Sequence, residues 1–376
     1  MITTGKLAVS SPLGNPRDPG TWSGAPANLC AALERRGVQI AAIDSTCLGL
    51  HEKVLMAAGN LARGYPWNAV AWFGPARRRR ASYVANRARE AGADMVLCTS
   101  TLDVPLGMDV PYAIWLDNSW NLYRNGRTAP SYGTRACDEI DRLERASLAG
   151  AARVLTFSEH VRDDIVGHYG VPPERVFAVG CGSGDLPGFE GEKDFAEGHL
   201  LFVAKHLFVP KGGELVLEAF EIIRRKRPQT RLVVVGSDEI VARIKGRPGV
   251  EAHGFVSRER LIGFFHDAAM LVQPMLADPW GQVYLEAMKA RALVVSLRVA
   301  AVPELTDNGR LGILASEASA QSLAEAVLAA YARPQGELDN MAREAQERAL
   351  RHYDWDVVAE RVLGALEGVS GRWRVS

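Results

Sequence analysis

The sequence shows no excess of charge of either sign: its 376 residues carry 44 Lys and Arg against 44 Asp and Glu. That balance disfavours a globally basic nucleic-acid binder, and no nucleic-acid partner is expected. Cysteine is scarce. Cys30, Cys47, Cys98, Cys137 and Cys181 are odd in number and far apart, with no CxxC pair. Neither a zinc ribbon nor a disulfide framework is supported, and Cys98, in the apolar run Met95–Cys98, reads as a buried thiol. The eight His are scattered, with no pair at metal-ligand spacing, so no metal site is expected. No apolar run approaches the ~18 residues that cross a bilayer. The opening Met1-Ile2-Thr3-Thr4-Gly5-Lys6 lacks the apolar stretch of a secretory signal, so the expected location is cytoplasmic. Neither a GxGxxG nor a Walker motif is present, which excludes a standard dinucleotide or P-loop site.

What is there is ordinary globular composition, 47% hydrophobic and 23% charged. At ~100–200 residues per domain, the length suits two domains with a cleft between them. Short apolar runs alternate with amphipathic segments throughout, the pattern of βα units and parallel sheets, hence an α/β fold. Strands are expected at Leu7–Ser10, Val38–Ile43, Met95–Cys98, Tyr112–Leu116, Val154–Phe157 and Val176–Val179. Helices are expected at Pro26–Arg36, Ala76–Glu90, Glu139–Leu148 and Glu159–Tyr169. The glycine-rich stretch Gly180–Gly188, followed by the charged stretch Glu190–Glu197, is the expected interdomain linker. A second series of strands follows: Leu200–Val203, Arg231–Val235, Val250–Phe255, Met270–Gln273, Leu293–Ser296 and Leu311–Ala315. Its helices are Glu214–Arg227, Arg258–Ala268, Val283–Lys289 and Ala320–Ala332, with two long ones, Glu337–His352 and Asp356–Leu366, closing the chain.

Arg77-Arg78-Arg79-Arg80 reads as a solvated helix face, with an anionic acceptor or lipid surface as the sharper alternative and peripheral membrane contact as its consequence. Three further segments carry chemistry. The loop Ser11–Gly24 leaves the first strand for a helix start at Ser23-Gly24-Ala25-Pro26, where free amides suit a ligand. Leu201–Glu214 delivers Lys205 and Lys211 to the carboxyl end of a strand, and Gly212-Gly213 leads into a helix. Two ammonium groups near a helix N-terminus make a site for a diphosphate. In Asp278-Pro279-Trp280-Gly281-Gln282-Val283-Tyr284-Leu285-Glu286, two carboxylates stand eight apart across a helix start. Gly281 permits close backbone approach, the amides of Gln282 and Val283 face an anion, and Glu286, a turn further in, can accept from ribose hydroxyls. Asp354-Trp355-Asp356 spells a metal-diphosphate motif but sits at a helix start, where Asp serves as a cap.

These segments resemble the retaining family-4 glycosyltransferases of the GT-B fold (glycosyl transferases group 1). Asp278…Glu286 has the spacing of that family's Glu-x7-Glu signature, and Phe202-Val203-Ala204-Lys205…Lys211-Gly212-Gly213 looks like its diphosphate element. Phe157-Ser158-Glu159-His160, Tyr169-Gly170-Val171-Pro172 and Tyr353-Asp354-Trp355 look like further landmarks in the same order. The resemblance implies two Rossmann-like parallel-sheet domains facing a central cleft. Residues 1–185 would form the acceptor-side domain and 186–352 the nucleotide-sugar domain, with a C-terminal helix in 353–376 crossing back. It further implies a retaining transfer of a sugar from a nucleotide-diphospho sugar to an acceptor hydroxyl, with no cofactor and no metal. Lys205, Lys211, Gly281, Gln282 and Val283 would hold the donor diphosphate, approached by Ser23 and Gly24. Glu286 would bind the ribose, Phe255 and Val256 would border the base, Asp278 would contact the sugar, and Asp117 would stand beside the reacting centre. His206, next to Lys205, could touch the donor. Three positions depart from the pattern: Asp278 replaces Glu, Lys205 replaces the commoner Arg, and Arg291 stands where Gly is common. A nucleotide-sugar epimerase or hydrolase, or a non-catalytic sugar-nucleotide binder, are the alternatives.

Overall fold

The computed structural model describes residues 3–127, 129–184, 186–369 and 374–375. The chain divides into two units, residues 1–182 with 355–376, and residues 183–354. Asp185, placed last in the expected first domain, and residues 370–373 and 376 of the expected closing segment lie outside the described residues.

The first unit is built on a six-stranded parallel sheet. Its strands are β1 (Lys6–Ser11), β2 (Gln39–Asp44), β3 (Met95–Cys98), β4 (Tyr112–Leu116), β5 (Arg153–Thr156) and β6 (Val176–Ala178), in spatial order β2-β1-β3-β4-β5-β6. Strands β3 and β4 are buried at every residue, as a parallel sheet covered on both faces requires, which explains their unbroken apolar runs. Helices α1 (Ala25–Arg35), α2 (Leu50–Ala62), α3 (Gly74–Glu90), α4 (Trp120–Arg124), α5 (Thr134–Gly150) and α6 (Glu159–Gly167) complete it, together with the chain's last helix, α14 (Trp355–Leu366). That helix is held by Arg35 to Asp356 at 2.8 Å, and Arg153 donates to the Ala365 carbonyl at 3.0 Å. Asp356 thus serves a helix-to-helix ion pair.

The second unit repeats the plan with strands β7 (His199–Ala204), β8 (Leu232–Gly236), β9 (Val250–His253), β10 (Ala268–Val272), β11 (Leu293–Leu297) and β12 (Ile313–Ala315). The spatial order is β9-β8-β7-β10-β11-β12, all parallel. Counted from β7, this is the 3-2-1-4-5-6 order of a doubly wound nucleotide-binding sheet. Its helices are α7 (Gly213–Lys226), α8 (Asp238–Ile244), α9 (Arg258–Asp267), α10 (Gln282–Lys289), α11 (Val302–Leu305), α12 (Ala320–Tyr331) and α13 (Gln335–His352). Phe195, Phe202, Phe220, Leu232, Met270, Val295, Leu323 and Val327 belong to one buried core that the sheet and helices share.

Two sequence expectations need correction. The arginine run is not a solvated face. Arg77 and Arg80 are buried, and only Arg78 and Arg79 are exposed. Arg77 donates to the Trp72 and Thr101 carbonyls at 3.0 and 3.3 Å and faces Glu144 at 3.6 Å, while Arg80 donates to the Ala71 carbonyl at 3.3 Å. The helix turns two of four consecutive guanidiniums inward because free carbonyls and a buried carboxylate wait there. The charged stretch Glu190–Glu197, in turn, is bound to the second unit. Phe195 enters the core, Arg291 and Gln346 hold the Gly191 and Phe189 carbonyls at 3.1 and 2.8 Å, and Lys193 is buried. The Lys193 ammonium donates to the Phe265, His266 and Ala268 carbonyls at the end of α9. It thereby satisfies carbonyls that a helix C-terminus leaves open.

Lys193→Met keeps most of the side-chain volume but strands these carbonyls. It is expected to cost about 2–4 kcal/mol, seen as a lower midpoint in denaturant. In the first unit, Asp103 is wholly buried and accepts from Ser45 Oγ at 2.7 Å. Burial pushes its carboxyl up to about 6 from 3.8. A raised acid stabilises the fold below its unfolded pKa and loses that contribution as pH climbs through the folded one. Between about pH 4 and 7, Asp103→Asn is expected to gain about 2–3 kcal/mol on the wild type, read from paired thermal melts.

Candidate functional site

In a doubly wound sheet, ligands bind beyond the carboxyl ends of the strands where the strand order reverses. In the second unit that point lies between β7 and β10. The loop after β7, Lys205–Gly212, and the loop after β10, Gln273–Gly281, carry most of the residues singled out from the sequence, and they touch. The Met275 amide donates to the Lys211 carbonyl at 3.1 Å. Gly212 turns with φ +86°, and a Cβ there would lie 2.9 Å from Pro274 Cβ. The Lys211 loop closes on itself through Lys211 N–H to the Leu207 carbonyl at 3.0 Å and Gly213 N–H to Phe208 at 2.8 Å. Gly212 then caps α7 in the left-handed region that glycine takes without strain.

The structure brings Lys211 within 3.9 Å of the Asp278 carboxylate. Asp278 Oδ1 accepts the amides of Trp280 and Gly281 at 3.2 and 3.0 Å, so this carboxylate orders its own loop. The Gly281 amide, expected to face a phosphate, is committed to Asp278. Gly281 sits at φ +73°, where a Cβ would fall 2.7 Å from Met275 Cε and 2.8 Å from the Tyr284 ring. Helix α10 follows, and Gln282 and Val283 contribute its first two amides, which by geometry have no acceptor within the helix.

Glu286 lies one turn along α10, half-buried, with its Oε1 beside Gly184. No protein group among the described residues donates a hydrogen bond to its carboxylate. Burial raises its pKa, opposed by the charges of Lys211, Lys205 and Lys289. A partly desolvated carboxylate among ammonium groups, with its acceptor positions open, suits a ligand that brings hydroxyl donors. On the other flank His206 packs edge-on against Phe255, 5.2 Å between centroids, and Phe255 is largely exposed beside Val256.

The remaining expected residues belong to the first unit, at the carboxyl end of its sheet. Asp117 follows β4, half-buried. Ser23 and Gly24 precede α1 in a stretch where Trp22, Ser23 and Gly24 all have positive φ, 44°, 55° and 79°. Trp22 is stacked on Phe157, 5.3 Å between centroids, which holds this strained turn in place.

Gln273 escaped the sequence reading. Wholly buried at the end of β10, it accepts the Val203 amide at 3.2 Å, and its own carbonyl accepts from Tyr284 at 2.7 Å and Ser296 at 2.8 Å. Its signal was a lone amide ending an apolar strand. Arg291 is also explained. It occupies a left-handed position just past α10, φ 53°, where glycine is the easy choice, and is anchored to Gln346 at 2.7 Å. Among the described residues no three His, Cys, Asp or Glu side chains gather as a metal set.

Residues 197–333 match the family model Glycosyl transferases group 1. D-inositol 3-phosphate glycosyltransferase of Pseudarthrobacter chlorophenolicus is 28% identical over 227 residues, 55% of this chain and 53% of that protein. Alpha-maltose-1-phosphate synthase of Mycolicibacterium smegmatis is 26% identical over 264 residues, 61% and 66% of the two chains. The chain thus spans between half and two thirds of the length of these curated relatives. In fold it is similar to sucrose-phosphate synthase from Thermosynechococcus elongatus, TM-score 0.72 at 14% identity, over 95% of this chain and 97% of that one. It is likewise similar to Anabaena Alr3699/HepE, solved in complex with UDP-glucose, TM-score 0.66 at 16% identity, over 96% and 99%.

Ala is the smallest side chain that tests the Gly281 turn. Gly281→Ala is expected to lower stability by about 1–3 kcal/mol, because both the backbone angle and the space oppose a Cβ, and a thermal melt reads it directly. The match over residues 197–333 and the sheet order agree with the motifs: the second unit carries the match to the family Glycosyl transferases group 1, and the chain has the α/β, two-sheet GT-B fold.

Proposed function

We propose that this protein transfers a glycosyl group from a nucleotide-diphospho sugar to an acceptor hydroxyl, with retention at the anomeric carbon. The observation that carries the reading is the cluster at the reversal point of the second sheet, where Lys205, Lys211, the first amides of α10 and the unbonded Glu286 meet. The relatives named above are glycosyltransferases and synthases, and HepE was solved with UDP-glucose.

The hard step is departure of the nucleoside diphosphate from a sugar carbon that becomes cation-like. Negative charge then grows on the bridging and terminal phosphate oxygens. Lys211 and Lys205 supply fixed positive charge there, and the Gln282 and Val283 amides supply oriented dipoles at the positive end of a helix. These groups are already in place before the charge develops, so little reorganisation opposes the step. They also supply the counter-charge a metal ion would otherwise bring, and the reading therefore assigns no metal and no cofactor. Glu286 accepts from the ribose hydroxyls, and Val256 with Phe255 borders the base. Asp278 sets the loop that carries Gly281, and its Oδ2 remains toward Lys211 and the sugar. Asp117 in the first unit orients the acceptor or shields the sugar cation, with Ser23 and Gly24 approaching the same substrates. The acceptor is a hydroxyl compound of unassigned class.

Incubation with a panel of nucleotide-diphospho sugars and hydroxyl acceptors, followed by detection of released nucleotide and of the glycosylated product, is the direct test. Lys211→Ala is expected to lower kcat by about 100-fold or more, the scale of losing one preorganised charge at a leaving group. Glu286→Ala is expected to weaken donor binding in calorimetry, with KM rising more than kcat falls. Turnover of Lys211→Ala at the wild-type rate would remove the phosphate assignment. Release of the sugar to water at one rate with or without acceptors would replace transfer by hydrolysis.

A further inference from the structure

Helix α2 is built inside out. On the side facing the rest of its unit it offers Glu52, Met56, Gly59 and Asn60, and Asn60 is its one buried residue. The outward side carries Leu50, Val54, Leu55 and Leu61, exposed by 80%, 60%, 70% and 61%, and Trp67 just beyond the helix is exposed by 63%. With ~100° per residue, the four aliphatic residues, together with Ala58 and Ala62, lie within an arc of roughly 140°. A surface helix normally turns such an arc into the core. Among the described residues nothing in the first unit covers it, although five large apolar side chains would each gain by leaving water.

The charge around this face is one-sided. Between Asp44 and Glu90 the chain has one carboxylate, Glu52, and eight basic residues: Lys53, Arg63, Arg77 to Arg80, Arg87 and Arg89. Glu52 is already engaged, accepting from the Gly49 amide at 2.8 Å and from Arg79 at 3.0 Å. The segment thus carries a net charge of +7 (8 − 1) in a chain whose total is zero, so the remainder carries −7. Two of the arginines, Arg77 and Arg80, face inward, which leaves Lys53, Arg63, Arg78, Arg79, Arg87 and Arg89 exposed, with Arg87 paired to Glu90 at 2.8 Å.

We infer that α2 and Trp67 form a docking surface for an anionic lipid bilayer. An apolar helical face flanked by Lys and Arg, with a Trp at its margin, is how a helix lies in the plane of a membrane interface. The basic side chains meet lipid phosphates while the leucines enter the acyl boundary, and long Lys and Arg stems reach outward from a sunken helix. A second copy of the chain fits less well, because it would bring the same net positive segment and not the opposite charge that an anionic bilayer supplies. No helix among the described residues is long and apolar enough to cross a membrane, so the surface acts by lying on the bilayer. The inference stands apart from the transferase reading and needs no substrate for its test.

Co-sedimentation of the full chain with vesicles of phosphatidylcholine alone, and of phosphatidylcholine mixed with phosphatidylglycerol, reads the surface directly. Binding is expected on the mixed vesicles, much weaker on the neutral ones, and falling as salt is raised. The pair Val54→Asp with Leu55→Asp is expected to lower the partition coefficient about tenfold or more, and Lys53→Glu with Arg63→Glu to remove the preference for phosphatidylglycerol. These side chains are exposed, so melting temperatures should match the wild type. Leu50→Asp with Leu61→Asp reads the same face should the first pair fail to fold. No pelleting with the mixed vesicles, or equal pelleting of both apolar pairs and the wild type, overturns the inference. A dimer by light scattering that the apolar pairs dissociate, with vesicles left unbound, overturns it in favour of a second copy.

Discussion

A single backbone hydrogen bond, Met275 N–H to the Lys211 carbonyl at 3.1 Å, joins the two loops on which the candidate site rests. Each loop leaves a different strand, and those strands, β7 and β10, are neighbours at the one place in the sheet where the chain reverses its direction of winding. Without a tie, two loops diverging from a reversal point would splay. The bond, and the contact of Gly212 with Pro274, hold them together. Lys211 then reaches the Asp278 loop, and α10 begins with its amides beside that lysine. The glycines at 212 and 281 follow from this closeness: each occupies a left-handed angle, and each would drive a Cβ into the opposing loop or its own helix.

The electrostatics follow from the same geometry. A helix start, two lysines and a partly desolvated glutamate share a small region. Burial raises the Glu286 pKa, and Lys211, Lys205 and Lys289 oppose that rise. The unit keeps a carboxylate there without giving it a hydrogen bond. Structural carboxylates in this chain are treated differently. Glu144, more deeply buried, is held by Thr101, by the Trp120 amide and by Arg77. The contrast separates a carboxylate that supports the fold from one whose lone pairs are left open.

Every one of the twelve principal strands was legible in the sequence, with ends displaced by no more than two residues, because parallel strands buried on both faces appear as bare apolar runs. The switch-point residues were legible too, since glycines and charges at strand ends are visible one-dimensionally. Three things were not. The inward turn of Arg77 and Arg80 depends on carbonyls of Ala71, Trp72 and Thr101, which composition does not show. The strap through Lys193 looked like a linker because a lysine capping a distant helix is indistinguishable from a solvated one. Helix α2 went unread because its apolar residues face outward, so its spacing does not continue the core pattern of its neighbours. For Arg77 and Lys193 the deciding partners include residues far off in sequence, Thr101 and the end of α9.

The exchange of Glu for Asp at position 278 carries the last step. An aspartate oxygen reaches the amides two and three residues ahead and closes an Asx-type turn, as Asp278 does with Trp280 and Gly281. A glutamate, one methylene longer, closes that ring poorly and extends its carboxylate away from the loop. The shorter side chain therefore converts a group that projects into a group that shapes. It spends one oxygen and the Gly281 amide on internal order, immediately before α10 begins at Gln282. The other oxygen of the same carboxylate faces Lys211 at 3.9 Å. A departure from the family pattern is, in this chain, the residue that orders the turn from which α10 starts.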